Sequence, residues 1–283
     1  LISSVIQEAQ ARNCISALVT FDPHPQEIIH SKHSVARICT TAHQYRLLEE
    51  LGLDEVHVIP FTKKLSQMPA EEFALKFLIK RFDLAKLMIG YDFRFGKYRA
   101  GDFILLENLS HKYKFLLEEV APVKEKNQTV SSTLIRELIK KNRFEEIPHY
   151  LGRDFSIFGE AVHGAKRGKK IGFPTANIEP GFDLALPNGV YVSKIKMDEK
   201  TFFGITNVGV RPTFGKNSVT IETLFFDFDE DIYGKYMEVF PIFQLRQEKK
   251  FSSIEALQKQ IRKDVEAADR YLIINKLKDS TTP

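Results

Sequence analysis

Residues 163–178, HGAKRGKKIGFPTANI, combine residue types suited to holding a phosphate donor. Gly164 and Gly168 allow close backbone approach to an anion, while Lys166, Arg167, Lys169 and Lys170 supply donors and positive field around it. If Thr175 and Asn177 lie on an extended segment, the two-residue period turns both side chains to one side. That face offers a hydroxyl and an amide oxygen, hard ligands that suit a partly hydrated magnesium ion. The same residues also read as a solvated basic turn followed by strand punctuation. Neither GxxxxGK[ST] nor GxGxxG is present.

Glu222 is the second candidate. Alternation along VTIETLFFDF (219–228) sets it on one side with Leu224, Phe226 and Phe228. A carboxylate on an apolar face is costly unless it is partnered or used in proton transfer, so a barrel-rim ion pair with a lysine and a general base are the competing readings. Arg211 and Arg246 are further candidate cations, the latter with an ion pair to Glu248 or Asp264 as its plain alternative. In the first half, GYDFRFGKYRAGD (90–102) places Asp92, Arg94, Lys97 and Arg99 among aromatic residues. It reads either as a ligand loop or as a surface loop with cation–π contacts. Ser131, Ser132 and Thr133 form a helix N-cap signature, yet Arg136 then falls in the first turn, where the dipole disfavours a cation; a bound anion would resolve the conflict.

The elements that must position these groups divide the chain in two. With 283 residues and 43% hydrophobic content, more than one core is expected. Residues 1–12 read as a helix. ISALVTF (15–21) reads as a buried strand ended by Asp22-Pro23-His24-Pro25. Strands EVHVIPF (55–61), KLMIG (86–90) and KFLLEEV (114–120) alternate with helices, which predicts an α/β domain over residues 1–150 with a parallel sheet and ligands at its strands' carboxyl ends. From residue 151 to 283 short strands recur between turns, predicting an antiparallel β-barrel closed by a helix from about Ser252 with Ile254, Leu257, Ile261, Val265 and Ala268 on one face. Cys14 and Cys39 make neither a disulfide framework nor a metal site. No signal peptide or membrane-spanning run is visible, so a cytoplasmic protein is expected. A net charge of +4 suits anionic small molecules, and no zinc spacing or aromatic–basic repeat argues for nucleic acid. Nothing in the sequence specifies an oligomeric state.

The pieces GKKIGFPTANI, LPNGVYV (186–192), ITNVGVRPTFG (205–215), IETLFFDFDEDIYGK (221–235) and LRQEKKF (245–251) together resemble the riboflavin kinase family, in its order. The resemblance implies that Glu222 takes the proton from the ribityl 5′-hydroxyl of riboflavin. It further implies that Thr175 and Asn177 hold Mg2+ against ATP, and that the loop of Gly164, Lys166, Arg167, Gly168 and Lys169 closes over the phosphates. Arg211 and Arg246 become flavin or product-phosphate contacts; the family usually has His where Leu224 stands. TFDPHP (20–25), the GYDFRFG loop and VSSTLIR (130–136) resemble the adenylyltransferase domain fused to riboflavin kinase in bacterial FAD synthetases. By that likeness Ser132, Thr133 and Arg136 hold ATP phosphates, while His24, Asp92 and Arg94 lie near nucleotide or flavin. That family's GxFDGVHxGH segment would precede Leu1, and the residues in hand contain no HxGH. The expectation is a bifunctional flavoprotein enzyme that phosphorylates riboflavin to FMN and adenylylates FMN to FAD. Its alternatives are a riboflavin kinase alone and a non-catalytic flavin- or nucleotide-binding regulator.

Overall fold

The computed structural model describes residues 1–29, 36–162, 175–181, 183–213, 216–226, 228 and 232–278, with side chains undescribed at 211–213 and 216–218. The chain folds into two compact units. Leu1–Val35 with Tyr45–Thr129 form the first, and Ala36–Gln44 with Val130–Pro283 the second.

The first unit alternates helix and strand as its hydrophobic periodicity predicts. Helix α1 (Ile2–Arg12) ends on Asn13 in the left-handed region, and β1 (Ala17–Asp22) follows. The expected buried strand over 15–21 is only half-buried, and Ile15 is 66% exposed. Ser16 is instead the anchored residue, because its amide and hydroxyl both donate to Asp54, at 2.8 and 2.7 Å. After α2 (Pro25–Ile29) and α3 (Thr41–Glu50), β2 (Glu55–Pro60) pairs in parallel with β1. Helices α4 (Lys63–Ser66) and α5 (Ala70–Phe73) lead into a π-helical stretch, Ala74–Ile79. Next come β3 (Lys86–Gly90), α6 (Phe103–Tyr113), capped by Asp102, and β4 (Leu116–Val120), parallel to β3. Parallel pairing is therefore present, as two separate pairs among the described residues. Phe73, Ala74, Leu78, Ile89, Leu106 and Leu109 form this unit's core. A two-residue hairpin, β5 (Lys124–Glu125) with β6 (Gln128–Thr129), ends it.

The second unit is a barrel. Helices α7 (Ser132–Lys140) and α8 (Ile147–Leu151) contribute Ile135, Leu138, Ile139 and Ile147 to its core. Strands β7 (Ile157–Glu160), β8 (Ala176–Ile178), β9 (Gly189–Met197), β10 (Lys200–Thr213), β11 (Lys216–Phe225) and β12 (Tyr236–Arg246) join in the order β7-β12-β9-β10-β11-β8, all antiparallel. A bridge between Val162 and Asn177 brings the two edges together, nearly closing the barrel and leaving little edge exposed. Alternation divides each strand between two environments. Tyr191, Ile195, Val208, Ile221 and Val239 fill the interior, while Val190, Val192, Ile205 and Leu224 form an outer patch covered by α9 (Ile254–Ile274). The covering residues of α9 are Ile261, Val265, Ala268 and Leu272; Ile254 is 61% exposed, because it sits in the first turn beside the Ser253 cap, outside that cluster. Phe228 also leaves the face expected of it. The strand stops at Phe225, and Phe228 turns to pack on Phe202 and Phe225, on the side opposite Leu224.

Candidate active site

The outer face of the barrel turns polar one strand step beyond the α9 patch. In the β10–β11 ladder Ile205 faces Leu224, and the next outward pair is Asn207 opposite Glu222. On the other side of β11, Glu222 is the register partner of Asn177. Directly opposed residues have Cβ atoms about 4.5–5.5 Å apart on one face. Asn177, Glu222 and Asn207 thus form a continuous amide–carboxylate–amide row, with Asn177 only 3% exposed. Thr175 precedes β8 and stands two residues from Asn177; its carbonyl accepts a 3.5 Å hydrogen bond from the Tyr233 hydroxyl. Two of the predicted kinase residues, separated by 45 positions, are therefore neighbours. Asn207 escaped the sequence reading.

The row continues through Val190 to Arg246, the partner of Val190 on β12. Arg246 does not reach into open space. Its Nε lies 3.0 and 3.1 Å from the two Asp264 oxygens and its Nη2 2.7 Å from one of them, while Gln260 donates to the same carboxylate at 2.8 Å. This fork, with Asp264 buried, ties α9 to β12. Beside the row lies a cleft of about 380 Å³ whose lining includes Lys140, Asn142, Asn188, Gln244, Gln247 and Glu248. Glu248 connects cleft and row. A Cβ on Gly209 would come within 2.4 Å of the Glu248 Oε1 and 3.5 Å of the Asn207 Nδ2, so glycine is what lets that carboxylate lie against the sheet. Asn188 Nδ2 donates to the other Glu248 oxygen at 3.3 Å. Below the cleft, Tyr191 donates to the Pro187 carbonyl at 2.6 Å and accepts from Gln244, and burial pushes its phenol above the ordinary value. Residues 163–174, with the glycine-basic loop, and the Arg211 side chain lie outside what the structure describes.

The remaining predicted residues divide between the two units. His24 and the Asp92–Arg94 pair follow the carboxyl ends of β1 and β3 in the first unit, where parallel strands offer ligands their loops. His24 Nδ1 accepts from the Gln26 amide at 3.3 Å, and Arg94 donates to the Phe93 carbonyl at 2.8 Å. The loop carrying Asp92 and Arg94 is fastened rather than loose. Phe95 and Gly101 exchange backbone hydrogen bonds of 3.1 and 2.9 Å, and Gly96, at φ 71°, packs so closely that a Cβ would fall 2.5 Å from the Ala70 Cα. Ser132, Thr133 and Arg136 belong to the second unit. Ser131 caps α7, Ser132 and Thr133 are exposed in its first turn, and Arg136 donates to the Ala36 carbonyl at 2.7 Å. Burial lowers the Arg136 pKa from its ordinary value. The carbonyl supplies the cation with a partner of the kind the helix dipole does not.

A barrel with a carboxylate flanked by amides on its outer face, following a parallel α/β unit, defines a two-part protein with a candidate group-transfer site. The Riboflavin kinase family model matches residues 151–272, and the FAD synthetase family model matches residues 1–134. The bifunctional riboflavin kinase/FMN adenylyltransferase of Buchnera aphidicola subsp. Schizaphis graminum is 35% identical over 96% of this chain and 88% of its own length. The protein of that description from Escherichia coli K12 is 31% identical over 98% and 88%. This chain belongs to that family. A crystal structure described as a macrolide-efflux protein from Streptococcus pneumoniae also superimposes with a TM-score of 0.70 at 27% identity, over 95% of this chain and 88% of that one. Among the described residues no helix is long and apolar enough to cross a membrane.

Proposed function

We propose that this chain makes flavin cofactors: it phosphorylates riboflavin to FMN with ATP through residues 151–283 and adenylylates FMN to FAD through residues 1–150. The observation that carries the kinase reading is the in-register pairing of Asn177 with Glu222, which brings an amide and a carboxylate together on one face of the barrel. Glu222 accepts the proton of the ribityl 5′-hydroxyl as that oxygen bonds to the γ-phosphorus and the bond to the β–γ bridging oxygen breaks, leaving ADP. General-base help of this kind contributes about 10²–10⁴-fold, and the rest of the catalysis is alignment and charge neutralisation.

The hard, neutral oxygens of Thr175 and Asn177 fit a magnesium ion that keeps water and takes its other ligands from phosphates. Those two residues would hold it, and its charge would offset that of the triphosphate. Gly164, Lys166, Arg167, Gly168 and Lys169 enclose the phosphates. The amide-lined cleft takes the flavin ring, with Arg211 toward flavin or product phosphate. Arg246 serves the flavin side indirectly, by fixing α9 through Asp264. In the adenylyl transfer, Ser132, Thr133 and Arg136 hold ATP phosphates, while His24, Asp92 and Arg94 contact nucleotide or flavin. The substrates are small molecules, and the reaction belongs in the cytoplasm.

The test is incubation of the chain with riboflavin, ATP and Mg2+, followed by separation of the flavins. FMN and FAD together bear out both activities; FMN alone restricts the reading to the kinase, and unchanged riboflavin refutes it. Glu222→Gln should keep flavin binding and lose about 10²–10⁴-fold in FMN formation. Turnover at the wild-type rate in that variant would remove Glu222 from the mechanism.

A further inference from the structure

One strand separates the carboxylate Glu222 from the amide-lined cleft, and opposite Glu222 that strand presents Asn207. Resting on the kinase reading, we propose that Asn207 determines acceptor specificity by hydrogen bonding the secondary hydroxyls of a polyol chain that runs from Glu222 to the cleft.

The register fixes this placement. Asn207 is bracketed by Glu222 on β11 and Val190 on β9, and neighbouring strands lie about 4.8 Å apart. On the cleft side, Asn188 immediately precedes β9, and Glu248 lies against Gly209, two residues along the face from Asn207. An acceptor whose primary alcohol meets Glu222 and whose ring occupies the cleft must pass its connecting chain over Asn207. The half-buried carboxamide carries two donors and an acceptor, so it can pair with a hydroxyl in either sense. An alkyl chain in the same place would leave that amide covered and unpaired. Sites built to bond a substrate hydroxyl reject analogues lacking it for this reason.

The experiment compares riboflavin with 10-(5-hydroxypentyl)isoalloxazine bearing the same ring methyls, which keeps the ring and primary alcohol and lacks the secondary hydroxyls. Both kcat/KM and flavin-fluorescence binding are measured for wild type, Asn207→Ala and Asn207→Ser. Wild type should favour riboflavin, and Asn207→Ala should shrink that preference by about tenfold, by losing riboflavin while leaving the analogue nearly unchanged. Asn207→Ser, which restores a small donor and acceptor, should recover part of it. An equal loss for both flavins would make Asn207 structural and overturn the proposal, as would an undiminished preference in the alanine variant. The binding arm separates the two layers. If no variant phosphorylates either flavin, the kinase reading fails, while a riboflavin preference in binding that Asn207→Ala abolishes would still support the contact, and its persistence would refute it.

Discussion

Asp264→Ala should release α9 from the barrel. In the intact protein the Arg246–Asp264 pair makes three contacts of 2.7–3.1 Å, with side chains 19% and 6% exposed. Removing one partner of a buried ion pair costs about 3–5 kcal/mol, because the other charge stays desolvated. Arg246 keeps some solvent and its bond to the Gln247 carbonyl, which reduces the expected loss to about 2–3 kcal/mol. Amide hydrogen exchange along α9 is the local assay. A loss of that size accelerates exchange through helix opening by roughly 30- to 150-fold. Arg246→Met with Asp264→Leu should regain most of the protection, since an apolar pair of similar volume needs no charge compensation. Riboflavin KM in the double variant then reports what Arg246 does: near-wild-type KM assigns it to the helix, a large rise to direct flavin binding. Unchanged α9 exchange in Asp264→Ala, or a double variant no better protected than the single one, would refute the reasoning.

Two further perturbations follow from close approaches and burial. Gly204→Ala should cost at least about 2–3 kcal/mol or prevent folding, because its Cβ would lie 2.1 Å from the Leu224 carbonyl oxygen, whereas Gly209→Ala, which meets only the movable end of Glu248, should fold and alter the cleft; thermal melts of the two variants decide the ranking. At pH 8, iodoacetamide should label exposed Cys14 well before Cys39, whose burial raises its pKa against the weaker opposing pull of Arg153 and Arg37 and so reduces its thiolate at that pH. Intact-mass and peptide mapping would show faster labelling of Cys39 if that burial were wrong.

Much of the candidate site is legible in the sequence because its parts follow simple periods. Alternation in VTIETLFFDF set Glu222 on one side with Leu224, and Thr175 and Asn177 were separated by one strand period. Asn207 was missed because its importance depends on pairing. Alternation within ITNVGV shows only that Asn207 and Val208 face opposite ways. The β10–β11 register, in which Thr213 faces Lys216, is what sets Asn207 opposite Glu222. Arg246 was ambiguous for a related reason: its partner Asp264 lies 18 residues away on a helix whose docking face, but not its rotation over β12, is written in its periodicity.

The same register explains why the candidate site lies on the outside of this barrel. Among the described residues its interior carries Tyr191, Ile195, Val208, Ile221 and Val239. On the outside, β10 reads Ile205, Asn207, Gly209 while its antiparallel neighbour reads Leu224, Glu222, Thr220, and the ladder matches these pair by pair. Both strands therefore change from apolar to polar at one level, and α9 covers only the apolar side. A slip of two residues in this ladder would keep every side chain on its own face, yet in one direction it would set Leu224 against Asn207 and leave that leucine uncovered, and in the other it would set Glu222 against Ile205 and drive a carboxylate under the helix. The desolvation cost of that carboxylate opposes the slip. The residue read as the base thus also helps to specify the register that exposes it.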